Sequence, residues 1–340
     1  MPGTNPAEAM RVIAGELPDF PHLPELPDRG PGADLTGRTA ALLVDIAVET
    51  TPRGWRLAER PGRDLARARS MLSSDLDALE EMLDGFRGPV KVQLCGPWTL
   101  AATLELPHTM NVAVADPGAV ADLTASLAEG LAAHIAEVRD RVPGARIVVQ
   151  LDEPGLPAVI AGNVPTASGL NRLRVPEPAD LQTTLGAIVS AARAFTLVHC
   201  CALSVPFGII KGAGADGVGC DLSMLEQAEE DGLAEAVEAG LGIVAGVVPA
   251  TAAAGAPEPP PADRAARTVT ALWHRMGWPV ARDGAGARNG AAGPGGVAAQ
   301  VVLAPACGMA GATPGYARAA MARCREAARM LPELIEEDQR

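Results

Sequence analysis

The sequence predicts an α/β fold, a (β/α)8 TIM barrel in one domain spanning residues 1–340, on three observations. Short apolar runs rich in β-branched residues alternate with amphipathic stretches of helical period along the whole chain. Several of those runs are continuously apolar, as a parallel sheet buried on both faces requires. Side chains with chemical capability gather where the runs end: Cys95, Asp152, Glu153, His199, Cys201, Asp221 and, just beyond the last run, Cys307. That rim is where such a barrel builds its site. A doubly wound sheet is the alternative, but it offers one crevice rather than a ring of strand ends.

Taken in order, an amphipathic helix is expected from Pro6 to Leu17, then a Pro-rich loop from Phe20 to Asp28 with His22 exposed on it. Gly32 to Val48 has the spacing of a buried helix, with Asp45 as a helix-end or ion-paired acid. Arg63 to Phe86 is a longer helix with charges on its outer face. Pro89 to Gly96 reads as a strand ended by a Gly-Pro turn, with a helix from Trp98. A helix over Pro117 to Val142 carries His134 as an ordinary helix residue. Arg146 to Pro154 is the second strand. Further strands are read at Thr196 to Cys201, Gly217 to Asp221, Gly242 to Val248 and Gln300 to Pro305. Helices are read at Asp180 to Ala194, Val205 to Ala213, Met224 to Ala239, Ala262 to Met276 and Tyr316 to Ile335. Residues 283–296, rich in Gly and Ala, are expected to form a mobile loop.

Composition excludes several classes of function. With 340 residues, 48% of them hydrophobic, the chain can bury a large core. The net charge of −13, without a basic cluster, argues against nucleic acid and against an anionic membrane surface. Met1-Pro2-Gly3-Thr4-Asn5-Pro6 has neither a basic nor an apolar leader region, and the longest uncharged runs are broken by Gly and Pro. A cytoplasmic location is therefore expected. Six cysteines in a chain of this length describe reduced thiols or metal ligands rather than a disulfide scaffold.

The run Thr196-Leu197-Val198-His199-Cys200-Cys201 places an imidazole and a thiol on one face of a strand, with Cys200 on the other. Such a pair is half of a tetrahedral zinc site. Cys307 supplies a third ligand and Asp221 a fourth, exchangeable oxygen. Cys220 competes with Asp221, since adjacent strand residues face opposite ways, and Asp221 is favoured. Cys95, Cys200 and Cys324 are read as packing. Two thiolates, one imidazole and one carboxylate leave Zn²⁺ a formal charge of about −1. Such a centre is a poor Lewis acid for making hydroxide. It suits the binding and deprotonation of an incoming thiol, and hence S-alkyl transfer. Asp152 and Glu153 are candidates to hold the ammonium of an amino-acid thiol. Loop or helix capping is the equal alternative for that pair.

At these residues the chain resembles the catalytic barrel of the cobalamin-independent methionine synthase family, in a short form without that family's N-terminal half. The resemblance rests on Gly96-Pro97-Trp98-Thr99-Leu100, Gln150-Leu151-Asp152-Glu153-Pro154, His199-Cys200-Cys201, Ala215 to Asp221, and Leu303-Ala304-Pro305-Ala306-Cys307-Gly308-Met309. It implies zinc ligands His199, Cys201 and Cys307, with Asp221 standing where the family has Glu, and homocysteine bound by Asp152. Two departures stand out. The family's first strand ends in Ile-Gly-Ser-Phe-Pro, and Met1-Pro2-Gly3-Thr4 falls inside that motif, so a truncated first strand is expected. The family's proton-donating His is missing from Val247-Val248-Pro249-Ala250-Thr251-Ala252. Loss of a general acid costs on the order of 10² to 10⁴ in rate.

The expected function is a zinc-dependent S-methyltransferase converting homocysteine to methionine, of the 5-methyltetrahydropteroyltriglutamate-homocysteine type. The methyl donor is methyl-tetrahydrofolate or a methyl-corrinoid protein. Alternatives are alkyl transfer to another thiol from a non-folate donor, a metal-free uroporphyrinogen-decarboxylase-like barrel, and a non-catalytic zinc and thiol carrier.

Overall fold

In the computed structural model, residues 1–167, 172–277 and 301–337 are described; the expected loop at 283–296 lies outside them. The chain opens with α1 (Pro6–Glu16), capped by Asn5, whose Oδ1 accepts from the Glu8 amide at 3.1 Å. A short α2 (Leu35–Ala40) and a hairpin of β1 (Ala47–Thr51) and β2 (Gly54–Ala58) follow. The remaining elements alternate: α3 (Arg63–Met82), β3 (Gly88–Cys95), α4 (Pro97–Thr103), α5 (Pro117–Arg141), β4 (Ala145–Asp152) and α6 (Leu156–Ile160). Then come α7 (Pro178–Ala192), β5 (Phe195–His199), α8 (Phe207–Gly212), β6 (Gly217–Asp221), α9 (Gln227–Glu238), β7 (Gly242–Val248), α10 (Ala262–Arg275), β8 (Val301–Pro305) and α11 (Pro314–Glu337).

Strands β3 to β8 form one six-stranded sheet, all parallel, in strictly sequential order. Sequential order without reversal excludes the doubly wound alternative, whose crevice depends on a switch of direction. Alternate residues such as Val90, Val92, Val149, Leu151, Val198, Val218, Ile243 and Ala245 are buried in the hydrophobic core. The opposite face carries Lys91, Gln150, Asp152 and His199 along one curled inner surface.

The sheet is a half-barrel of six strands rather than the closed eight-stranded barrel expected from the sequence. Two strands' worth of chain is used elsewhere. The Gly32 to Val48 stretch is not one long helix: only Leu35–Ala40 is helical, and exposed Asp45 sits in the left-handed region at φ 56° before β1. The hairpin then folds back on α2. Trp55 Nε1 donates to both Asp34 oxygens at 3.0 and 3.1 Å, while Asp34 also caps α2 through the Gly37 amide. Gly37 is required there, since a Cβ would stand 2.4 Å from the Trp55 ring. Beyond β3, the edge is met by a bridge from His22, with the Leu23 amide donating to Lys91 O at 2.9 Å and the Lys91 amide to Pro21 O at 3.0 Å, and by Thr39, whose Oγ1 accepts from the Cys95 amide at 2.8 Å. His22 is thus half-buried against the sheet rather than exposed on a loop. Burial, with Lys91 beside it, pushes its imidazole down to about 3.

Under α2 lies a buried ionic centre. Asp75 of α3, with a side chain 0% exposed, accepts from Arg29 at 2.7 Å and from Arg38 at 2.6 Å. Removing that carboxylate takes from two largely buried guanidinium groups their shared partner, leaving Arg38 only Glu25 at 3.6 Å among the described residues. Asp75→Ala is expected to lower unfolding stability by about 3 kcal/mol, read as the urea midpoint; an unchanged midpoint would show that the Arg38 site is reached by solvent.

Candidate functional site

The rim residues are set by register. Asp152 pairs with His199 across β4 and β5, and His199 with Gly219 across β5 and β6. Paired residues of a parallel sheet share a face, so Asp152 and the His199 imidazole stand side by side on the inner surface. Gly219 leaves room for that ring, because a Cβ there would lie 3.0 Å from His199 Nδ1. Cys201 follows two residues beyond the end of β5. Cys307 reaches the same place from β8 through a local irregularity: the pairing of β7 and β8 shifts between Gly246 and Val248, and the Ala306 amide donates to Val248 O at 2.8 Å. A Cβ on Gly246 would stand 2.8 Å from Ala306 Cα, so this glycine permits the approach.

The result is a cluster of three. One ligand atom each from His199, Cys201 and Cys307 lie within 4.8 Å of one another, with Cys307 exposed at the mouth and the other two half-buried. The two sulfurs are 3.2 Å apart. Sulfurs that close share one proton, since two adjacent anions are unfavourable. Hydrogen bonding from Cys201 and from His199 draws the Cys307 thiol down to about 4, and the same contact pushes Cys201 strongly upward. A tetrahedral zinc with Zn–S near 2.3 Å spreads two thiolates to about 3.8 Å. The donor set fits that ion in chemistry and needs only a small opening of the pair. The other cysteines are inert by burial: Cys95, Cys200, Cys220 and Cys324 are all 3% exposed or less, and burial raises each thiol.

Asp221 ends β6 but lies outside the three-residue cluster. Its Oδ1 accepts from the amide and hydroxyl of Ser223 at 2.8 and 2.7 Å, which closes the turn after the strand. Cys220 packs on the opposite face, as strand alternation requires.

The adjacent acids Asp152 and Glu153 part company. Glu153 is wholly buried and points at the N-terminus of α4. Its Oε1 accepts from the Trp98 amide at 2.9 Å, and its Oε2 from the amide and hydroxyl of Thr99, both at 2.7 Å. This geometry is the capping alternative, and a Cβ on Gly96 would collide with that carboxylate at 2.4 Å. Asp152 faces the imidazole instead, and its Oδ1 accepts from Gln150 Nε2 at 2.7 Å. Burial raises both acids, Asp152 to about 6 against the pull of His199, and Glu153 to about 7 against its three donors. Sequence reasoning missed Gln150 and Lys91, whose Nζ donates to Gln150 Oε1 at 2.8 Å. The available signal was a polar side chain two residues before Asp152 in an otherwise apolar strand.

Three comparisons bear on this arrangement. The family model described as the catalytic domain of cobalamin-independent synthase matches residues 2–330. Among solved structures, the chain is similar to a B12-independent methionine synthase from Shewanella sp. W3-18-1 in complex with selenomethionine. The two share 14% identity at a TM-score of 0.50, over 77% of this chain and 67% of that one, a likeness of fold alone. No curated protein matches in sequence. No helix among the described residues is long and apolar enough to cross a membrane.

Burial of Glu153 couples folding to pH. Between its ordinary value near 4.5 and about 7 the folded state holds a proton that the unfolded chain has released, so stability falls as pH rises through that window. Comparing metal-free chain with Glu153→Gln by urea unfolding, the wild-type advantage is expected to shrink by on the order of 2–3 kcal/mol between pH 4.5 and pH 8. A pH-independent difference would mean that the α4 cap is ionised throughout.

Proposed function

The chain belongs to the cobalamin-independent methionine synthase family through its catalytic domain, and from that premise we propose that it transfers a methyl group to the thiol of homocysteine, forming methionine. The observation that carries the reading is the convergence of His199, Cys201 and Cys307 within 4.8 Å at the mouth of the half-barrel. These three residues would hold a zinc ion. Asp221, next along the rim, is the candidate for a fourth, exchangeable ligand, with the Ser223 amide and hydroxyl both bonded to its Oδ1. When bound, zinc supplies a positive charge beside which an acceptor thiol gives up its proton near neutral pH.

The chain's own residues do the rest. The exposed side of Cys307 leaves the centre open to an incoming thiol. Asp152 stands beside His199 on the inner face, where its carboxylate can take the ammonium of an amino-acid thiol and aim the sulfur at the centre. Glu153 stays out of substrate contact and holds the Gly-Pro turn and α4 in place. The acceptor sulfur takes the methyl group from the donor, and the donor's leaving atom takes the electron pair of the broken bond. A methyl-tetrahydrofolate donor also needs a proton at its nitrogen, and Val247 to Ala252 offers no histidine for it. Tyr316, the nearest phenol to that stretch, donates to Pro249 O at 3.0 Å and is committed to anchoring α11. A methyl-corrinoid protein, whose leaving group needs no proton, is therefore the second donor to assay.

Metal analysis of the purified chain is expected to give about one zinc per chain, with less than about a tenth of it retained in Cys307→Ser. Both methyl donors are assayed with homocysteine. A correctly folded chain that holds no zinc and methylates no thiol with either donor overturns the reading.

A further inference from the structure

Lysine is used only twice in this chain, at Lys91 and Lys211, and arginine supplies every other permanent cation. One of the two points along the inner surface of the sheet. Lys91 lies on β3, and burial pulls its ammonium downward while Asp152 and Glu25 hold it up. Its Nζ donates to Gln150 Oε1 at 2.8 Å, and Gln150 Nε2 donates to Asp152 Oδ1 at 2.7 Å.

The direction of this chain of bonds is set at both ends, since the Asp152 carboxylate can only accept. An ammonium can only donate, whereas a carboxamide presents an acceptor on one side and donors on the other. With Lys91 in place, Gln150 must turn its oxygen toward β3 and its NH₂ toward Asp152. Without Lys91, the Gln150 oxygen loses its anchor on β3 and the side chain is free to swing away from Asp152. The same bond occupies Oδ1 alone: Asp152 Oδ2 accepts no hydrogen bond among the described residues.

We propose that Lys91 is a positioning residue that acts through Gln150: by anchoring that amide it orients Asp152, leaving Oδ2 for the ammonium of an amino-acid thiol. This rests on the function proposed above. A lysine that instead bound the ligand's own carboxylate would act without Gln150, and the two roles separate in a mutant cycle.

The test compares zinc-loaded wild type with Lys91→Met, Gln150→Met, the double variant and Lys91→Arg, by calorimetric titration with homocysteine and with 4-mercaptobutanoate, the same thiol without its amino group. Each single change is expected to weaken homocysteine binding roughly tenfold to a hundredfold. The double variant is expected to be no weaker than Gln150→Met, and Lys91→Arg to recover most of the affinity. Binding of 4-mercaptobutanoate is expected to change less than about threefold across the series. Additive losses, or equal losses for both thiols, overturn the proposal. A ligand-free readout keeps it independent of the functional reading: the Gln150 side-chain amide protons exchange slowly in wild type and fast in Lys91→Met. If the wild type binds neither thiol while that protection is lost in Lys91→Met, the methyltransfer reading fails and the positioning role of Lys91 stands. If the protection is the same in both, the positioning role fails.

Discussion

Two sulfurs 3.2 Å apart at the open end of a half-barrel set the terms for the rest of the site. They cannot both ionise without a cation, so alone they share a proton, and Cys307 goes down as Cys201 goes up. An imidazole on the neighbouring strand completes a soft, nitrogen-and-sulfur donor set of the kind zinc prefers. Three features of the rim bring these atoms together. Gly219 clears the ring of His199, Gly246 lets the chain beyond β8 come close, and the pairing shift between β7 and β8 turns Cys307 inward.

The sheet makes this possible because parallel register carries position from strand to strand. Once Cys95 pairs with Asp152, and Asp152 with His199, the level of each side chain along the inner face is settled. Sequential strand order then places the ends of β5 and β8 on one curled edge, although Cys201 and Cys307 are 106 residues apart in the chain. The half-barrel keeps the geometry that a closed barrel uses at its C-terminal face. Its open inner surface leaves His199 half-buried and Asp152 almost covered, a gradient from wet thiol cluster to dry carboxylate.

Neighbouring residues of one strand were put to different uses by alternation alone. Asp152 looks into the sheet's hollow, and Glu153 looks across to α4, where three donors saturate it. Cys200 and Cys201, and Cys220 and Asp221, divide in the same way, one member packed and one at the rim. The polar thread from Lys91 through Gln150 extends the site downward from the rim, so the carboxylate is held from below by the strand that precedes it.

All six strands of the main sheet and most of their helices, though not the short α6, were legible in the sequence, because a period of two or of 3.6 is a local property that neighbouring residues carry by themselves. So was the shared face of His199 and Cys201, since residues at i and i+2 of an extended chain point the same way wherever it goes. What local pattern could not contain was decided by packing. The apolar spacing of Gly32 to Val48 suits a helix, but Trp55 reaching back to Asp34 makes a capped short helix and a hairpin the better arrangement. Asp152 and Glu153 were indistinguishable as letters, and only α4 docking on β4 gave one of them three hydrogen bonds. The end of the main sheet at six strands, the meeting of Cys201 with Cys307 and the place of Asp221 outside their cluster depend on register and loop paths between distant segments. Such contacts are governed by how whole elements pack in space, and no window of sequence records that.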